Sequence, residues 1–301
     1  MNEIKNLKEL EQLVKEQQTP KMTIAYAQDD DTILAAKRAV EEKIVNAVLI
    51  GDQKIIRDKC NSLDINPDIF EIVHEPNEKK SGYKAVEMIV NNKAHILMKG
   101  LISTPYFLKA ILNKDFGLIK KGMVLSHTAI IEINTYHKLL IVSDVAMIPY
   151  PDLNQKIQMI NYNIEIAKKL NIINPKIAIV CANEKVSEKM ESTIHGAVLS
   201  KMAERKQIKG AIIDGPLALD VALSKKACEI KGLKSEVAGD ADILIFSDID
   251  TGNVFYKSTT ILGGAKLAGV VTGTPFPTVL VSRADDDDSK YYSIVLAAAL
   301  A

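Results

Sequence analysis

The chain is predicted to be an α/β protein with mixed, mainly parallel sheets, on three observations. Short β-branched runs alternate with longer helix-periodic segments, the pattern of strands connected by crossover helices. One pair of runs, 129–133 and 139–143, is joined only by Asn134-Thr135-Tyr136-His137 and reads as an antiparallel hairpin, so the sheet is mixed. Finally, 301 residues with a hydrophobic fraction of 47% suffice for two α/β domains or one large unit.

The elements follow in order. The start, MNEIKNLKELEQLVKEQQ, is charged and helix-periodic and is not a secretory signal. Strands are expected at 22–26, 47–50, 69–73 and 95–98, with helices at 31–43 and 82–91. Lys99-Gly100-Leu101-Ile102-Ser103-Thr104-Pro105 then leads into a helix over 105–112, with Thr104 as N-cap and Pro105 in the first helical position. After the hairpin, Pro149-Tyr150-Pro151-Asp152 is the expected domain boundary: the prolines hold the chain extended, and Asp152 caps a helix over 153–170. A strand at 176–181, a helix at 186–205 and a strand at 210–213 come next. Asp214-Gly215-Pro216 is expected to turn the chain and expose its carboxylate, or to cap the helix at 219–226. A strand at 243–246 feeds Ser247-Asp248 and a helix carrying Asn253, Tyr256 and Lys257. The last strand, 277–281, delivers Ser282-Arg283. Asp285 to Asp288 then cap a terminal helix over 290–301.

Composition narrows the function. There are 38 basic and 38 acidic residues and no basic block, so no nucleic-acid partner is expected. No apolar run approaches the roughly 20 residues of a membrane span. The three cysteines, Cys60, Cys181 and Cys228, are far apart and fit a reducing cytoplasm. The histidines are scattered, and no metal-ligand spacing appears. Nor does a phosphate-binding P-loop, a dinucleotide fingerprint or a nucleophile elbow.

What remains is anion chemistry at strand ends. Arg283 stands at the carboxyl end of a parallel-type strand, where open α/β sheets place ligands, and its guanidinium suits a phosphate or carboxylate. The helix start at Ser103-Thr104 offers free N–H groups and hydroxyls, and reads equally as an anion site or a plain capped turn. Gly252-Asn253 permits close approach of a ligand near Asp248 and Lys257.

Taken together, VAGDADILIFSDIDTGNVFYK (237–257), DGPLALD (214–220), Val142-Ser143-Asp144 with Pro149 and Pro151, and Ser282-Arg283 resemble the phosphate acetyl/butyryltransferase family over nearly the whole chain. DGPLALD, EKVSEKMEST (184–193) and the SRAD stretch are most like its butyryltransferase branch. The resemblance implies an isocitrate/isopropylmalate dehydrogenase-like architecture: one domain of residues 1–148 with 272–301, a second of 149–271, and an active-site cleft between them. It implies transfer of a short acyl group between coenzyme A and inorganic phosphate by direct attack in a ternary complex. The coenzyme A thioester is substrate, with no metal or prosthetic group, and the protein is expected to be a cytoplasmic homo-oligomer built from dimers. Ser282 and Arg283 fall on the family's catalytic pair. The family's base position falls on Ser289 by ungapped counting and the adjacent Asp288 is taken as the base, with Asp285 to Asp287 as alternatives. Ser103, Thr104, Asn253 and Lys257 are the expected phosphate or coenzyme A contacts. A phosphate acetyltransferase is the alternative within the family. A β-decarboxylating dehydrogenase-like enzyme and a non-catalytic anion-binding protein are more distant readings.

Overall fold

The computed structural model of the chain describes residues 2–281 and 287–301. They form two compact units, one of Lys8–Met123 with Leu267–Ala301 and one of Met1–Leu7 with Val124–Lys266.

The unit containing residues 8–123 begins with α1 (Leu7–Lys15) and proceeds by β1 (Lys21–Ala25), α2 (Asp30–Glu41), β2 (Asn46–Gly51), α3 (Gln53–Ser62), β3 (Glu71–His74), α4 (Glu78–Val90), β4 (Ile96–Lys99) and α5 (Thr104–Ile111). Strand β1 lies between β2 and β4, and β3 flanks β2, all parallel. These strands are near-continuous apolar runs, as expected where helices cover both faces. Their helices start on short polar caps: Asp29 for α2, Asp52 for α3 and Asn77 for α4, each accepting a first-turn N–H.

The unit of 124–266 holds β5 (Ser126–Glu132), β6 (Leu140–Ser143), α6 (Leu153–Lys169), β7 (Lys176–Val180), α7 (Glu191–Glu204), β8 (Ile212–Leu217), α8 (Leu219–Leu223), α9 (Lys225–Ile230), β9 (Ile243–Ile245) and α10 (Ile249–Ile261). Strands β5 and β6 form the expected antiparallel hairpin. Strands β6, β9, β7 and β8 then run parallel in that order. Asp152 and Gln155 close a reciprocal capping box on α6.

The chain ends with β10 (Lys266–Thr272), β11 (Thr278–Val279) and α11 (Asp287–Leu300). Strand β11 is antiparallel to β10 and parallel to β4. The carboxyl ends of β1, β4 and β11 therefore open on one edge. Residues Ser289–Ala299 of α11 are all buried, which explains its lack of a polar face. Among the described residues no helix is long and apolar enough to cross a membrane.

Several local expectations are corrected. The strand expected at 277–281 shortens to β11, and β10 was not anticipated. Asp214-Gly215-Pro216 does not turn the chain: it lies inside β8, with a register irregularity opposite Ala178 and Val180. The missing N–H of Pro216 is tolerated because β8 is an edge strand. The helix expected from 186 starts at Glu191, because Ser187 and Met190 form a small bridge first. The helix expected over 219–226 breaks at Ser224, whose hydroxyl caps a new helix by accepting from Ala227 N–H at 3.2 Å. The N-cap of α5 is Ser103 rather than Thr104, and its side chain makes no capping bond.

Candidate active site

In the unit of residues 8–123 and 267–301, three strand ends build a cavity. Past β1, Tyr26 takes a left-handed backbone with φ 57°. Past β4, the chain presses against it: Gly100 N–H donates to Ala25 O at 3.0 Å, and Leu101 N–H to Tyr26 O at 2.9 Å. A Cβ at position 100 would meet Ala25 O at 2.8 Å and Tyr26 O at 2.9 Å, so only glycine fits. Beside this junction lies a cavity of about 170 Å³ lined by Asp29, Asp31, Thr32, Lys99, Val281 and Lys290, together with Gly100 and Leu101.

Its charges are unusual. Lys99 and Lys290 are only 6% and 4% exposed, and lysines are seldom so deeply buried without a task. Lys290 Nζ donates to Asp31 Oδ2 at 2.9 Å, and Lys99 Nζ to Gly100 O at 3.2 Å. Asp29 uses one carboxylate oxygen as the cap of α2, where Oδ1 accepts from Thr32 N–H at 2.9 Å. Its Oδ2 is shut from solvent, and no group donates to it among the described residues. Such an oxygen costs about 1–3 kcal/mol unless a donor is supplied.

The expected catalytic pair, Ser282 and Arg283, lies outside the described residues, as do Asp285 and Asp286. Val281, the residue before them, lines the cavity. Asp288, expected as the base, is described. It sits in the first turn of α11 with its side chain 51% exposed and accepts from Arg38 Nη1 at 2.5 Å. Lys290, two positions further on, bonds Asp31. Ser103 and Thr104 follow the same strand end but do not line the cavity. Ser103 N–H is occupied by Glu78 Oε1 at 2.7 Å, and Thr104 is exposed.

In the unit of 124–266, Asn253 and Lys257 both lie on α10, yet they differ. Asn253 Nδ2 donates to Val145 O at 2.9 Å and pins the loop after β6. Asp144 locks the same loop: it accepts from Ser126 Oγ at 2.8 Å, His127 N–H at 2.9 Å, and the N–H groups of Ala146 and Met147 at 2.7 Å each. Gly252 is required there, since a Cβ would fall 2.1 Å from Asp144 O. Asn253 is thus held in a structural bond, while Lys257 is exposed. Asp248 caps α10 through Thr251 N–H at 2.8 Å. Burial pushes its carboxyl up, but bonds from Thr251 and Ser247 outweigh that and hold it below the ordinary aspartate range.

Helices α6 and α7 of this unit also carry groups that the sequence reading passed over. Lys156, 3% exposed, bonds His195 Nδ1 at 3.1 Å. Burial lowers the affinity of both side chains for a proton, and the nearby lysine lowers that of His195 further. The signal was present: Lys156 falls on the same buried stripe of α6 as Met159, Ile160 and Asn163. Cys181 is a core thiol, pushed up by burial although its Sγ donates to Ser192 O at 3.3 Å. The nearby Lys156 charge favours its thiolate, but burial outweighs it, so the thiol is a poor nucleophile.

Comparison with known proteins now bears on this arrangement. A family model described as "Phosphate acetyl/butaryl transferase" matches residues 6–81 and 69–298. The chain is 44% identical over 298 residues to a phosphate butyryltransferase of Clostridium acetobutylicum, covering 99% of each protein. It is 40% identical over 281 residues to a phosphate acetyltransferase of Thermotoga maritima, covering 93% of this chain and 95% of that one. Among solved structures, a branched-chain phosphotransacylase from Enterococcus faecalis superposes with a TM-score of 0.82 at 31% identity, covering 93% of this chain and 98% of that one.

Proposed function

The chain belongs to the phosphate acetyl/butaryl transferase family, and on that footing we propose that it moves a short acyl group, butyryl first, between coenzyme A and inorganic phosphate. The observation that carries the reading in the structure is the cavity at the ends of β1, β4 and β11, where two buried lysines stand beside the residue that precedes Ser282-Arg283. Phosphate is an anion, and the buried ammonium groups of Lys99 and Lys290 are cations with which it can pair, beside the carboxylates of Asp29 and Asp31.

In this reading a phosphate oxygen attacks the thioester carbonyl while both substrates are bound. The new C–O bond forms, charge builds on the carbonyl oxygen, and the C–S bond breaks with its electron pair leaving on sulfur. Arg283 holds the phosphate and offsets the oxyanion, and Ser282 donates to the same oxygens. Positioning two reactants supplies much of the acceleration. The Cys181 thiol, pushed up by burial, supports direct attack over a thiol acyl-enzyme. Coenzyme A enters as substrate, and the proposal assigns no resident cofactor. Lys257, exposed on α10, suits the coenzyme's phosphates, whereas the structural bond of Asn253 argues for a supporting role.

The dehydrogenase-like architecture, the domains of 1–148 with 272–301 and 149–271, the cytoplasmic setting and the dimer-based assembly belong to the same proposal. Exposed Val254, Ile261 and Leu262 on and just after α10 support an assembly surface. A preference for acetyl is the second reading, favoured by the identity to the Thermotoga enzyme.

The test is thiol release from butyryl-CoA and acetyl-CoA, with and without phosphate. Release is expected to require phosphate and to favour butyryl. Arg283→Ala is expected to lower kcat about 10²–10³-fold. Release that ignores phosphate would exclude the reaction; faster turnover of acetyl-CoA would move the chain to the acetyl branch.

A further inference from the structure

We propose that Asp29 is the general base of this reaction: its carboxylate takes the proton from the coenzyme A thiol when acyl phosphate is the donor. This rests on the reading above and assigns a role that the family resemblance leaves among Asp285 to Asp288 and Ser289.

Three observations converge. Asp29 lines the cavity at the ends of β1 and β4, together with Lys99, Lys290 and Val281. Its two oxygens are used unequally: Oδ1 is held at 2.9 Å by Thr32 N–H, and Oδ2 is shielded from solvent with no donor among the described residues. A buried acceptor left open in this way calls for a donor from a ligand, and an S–H group is one. Two of the competing carboxylates are engaged. Asp31, the other acid lining the cavity, is bonded to Lys290 at 2.9 Å, and Asp288 is bonded to Arg38 on an exposed surface. The cap bond also fixes the Asp29 carboxyl on the rigid start of α2, which a base acting at one geometry needs. The charged groups that share the cavity with Asp29 are Asp31 from its own helix, Lys99 from β4 and Lys290 from α11.

The step balances without any further reactant. The Asp29 carboxylate accepts the thiol proton, and the sulfur pair forms the C–S bond to the acyl carbon. The C–O bond to phosphate breaks, its pair leaving on the phosphate oxygen. The released phosphate then takes the proton back from Asp29. In the opposite direction Asp29 removes a proton from phosphate and delivers it to the departing sulfur.

The experiment compares wild type with Asp29→Asn in both directions across pH, alongside thermal unfolding. Asparagine still caps α2 through its side-chain oxygen but cannot accept the proton. The expected result is a kcat at least about 10²-fold lower, KM values for coenzyme A and phosphate within about threefold, and an unchanged Tm. Asp29→Ser, which also caps, repeats the measurement should Asp29→Asn fold poorly. A variant with wild-type kcat and pH profile would overturn the proposal, as would a 10²-fold loss at Asp288→Asn with Asp29→Asn intact. A fall in Tm with kcat preserved would reduce Asp29 to a helix cap. Absence of phosphate-dependent release by wild type would instead refute the reaction itself, so the two failures are distinct.

Discussion

Asp240 gathers two lysines and a histidine at the amino ends of the strands in the 124–266 unit. It accepts from Lys176 Nζ at 2.6 Å and His137 Nε2 at 2.8 Å, with Lys138 Nζ at 3.1 Å. Lys138 also reaches Asp242 at 2.6 Å. Burial pushes the Asp240 carboxyl up, but Lys176, Lys138 and His137 together hold it far below the ordinary aspartate range. Because its folded value lies below the unfolded one of about 3.9, the group stabilises the fold at neutral pH. That contribution fades as pH falls below about 4. Asp240→Asn is expected to cost about 1–3 kcal/mol at pH 7. The gap from wild type should close under acid, measured as chemical denaturation from pH 7 to pH 3; a gap independent of pH would count against this account. Other residues show how side chains of one type divide their tasks. Asn253, Asp144 and Gly252 hold backbone in place. Asp29 keeps an oxygen in reserve.

Among the elements, α2 and α11 form the pair that decides what Asp288 does. Arg38 lies with its guanidinium 3.7 Å from the Tyr291 ring centroid while it bonds Asp288. Exposed ion pairs contribute about 0–1 kcal/mol and are screened by salt, whereas the ring contact is worth about 0.5–1 kcal/mol more. Arg38→Ala is therefore expected to destabilise by about 1–2 kcal/mol, and Asp288→Ala by at most about 1 kcal/mol, the latter vanishing in 1 M salt. Equal losses at high salt would show that Asp288 bears a buried load. Strongly patterned elements were legible in the sequence, such as α6 with its capping box and the β5–β6 hairpin. Elements with weak patterns were not. Helix α3 buries only Ile56 and Cys60, too narrow a stripe to read. Strand β10 carries Gly269 in its middle, whose N–H donates to Ser293 Oγ of α11 at 2.9 Å, a partner remote in the chain. Pro216 in β8 was read as a turn because local rules cannot tell an edge strand from a chain reversal.

At the scale of the molecule, the return of residues 267–301 to the unit begun by residues 8–123 is the decisive event. Strand β11 pairs with β4, and α11 packs with its middle wholly buried. A chain ending after residue 286 is expected to lose cooperative unfolding and expose apolar surface, seen as dye binding and a broad thermal transition. A sharp transition near the wild-type Tm would contradict the central place of α11. By itself, the sequence determined the alternation of strands and helices, most caps, the family and the residue types suited to an anion site, because these depend on neighbours within a few turns of chain. Only the tertiary structure decided which charged groups meet. Arg38 and Asp288 are separated by 250 positions and Lys290 and Asp31 by 259. The cavity of Asp29, Lys99 and Lys290 exists because parallel strands align their carboxyl ends, whatever their distance along the chain. No local spacing records such pairings, since they are selected by the burial and hydrogen bonding of the whole sheet.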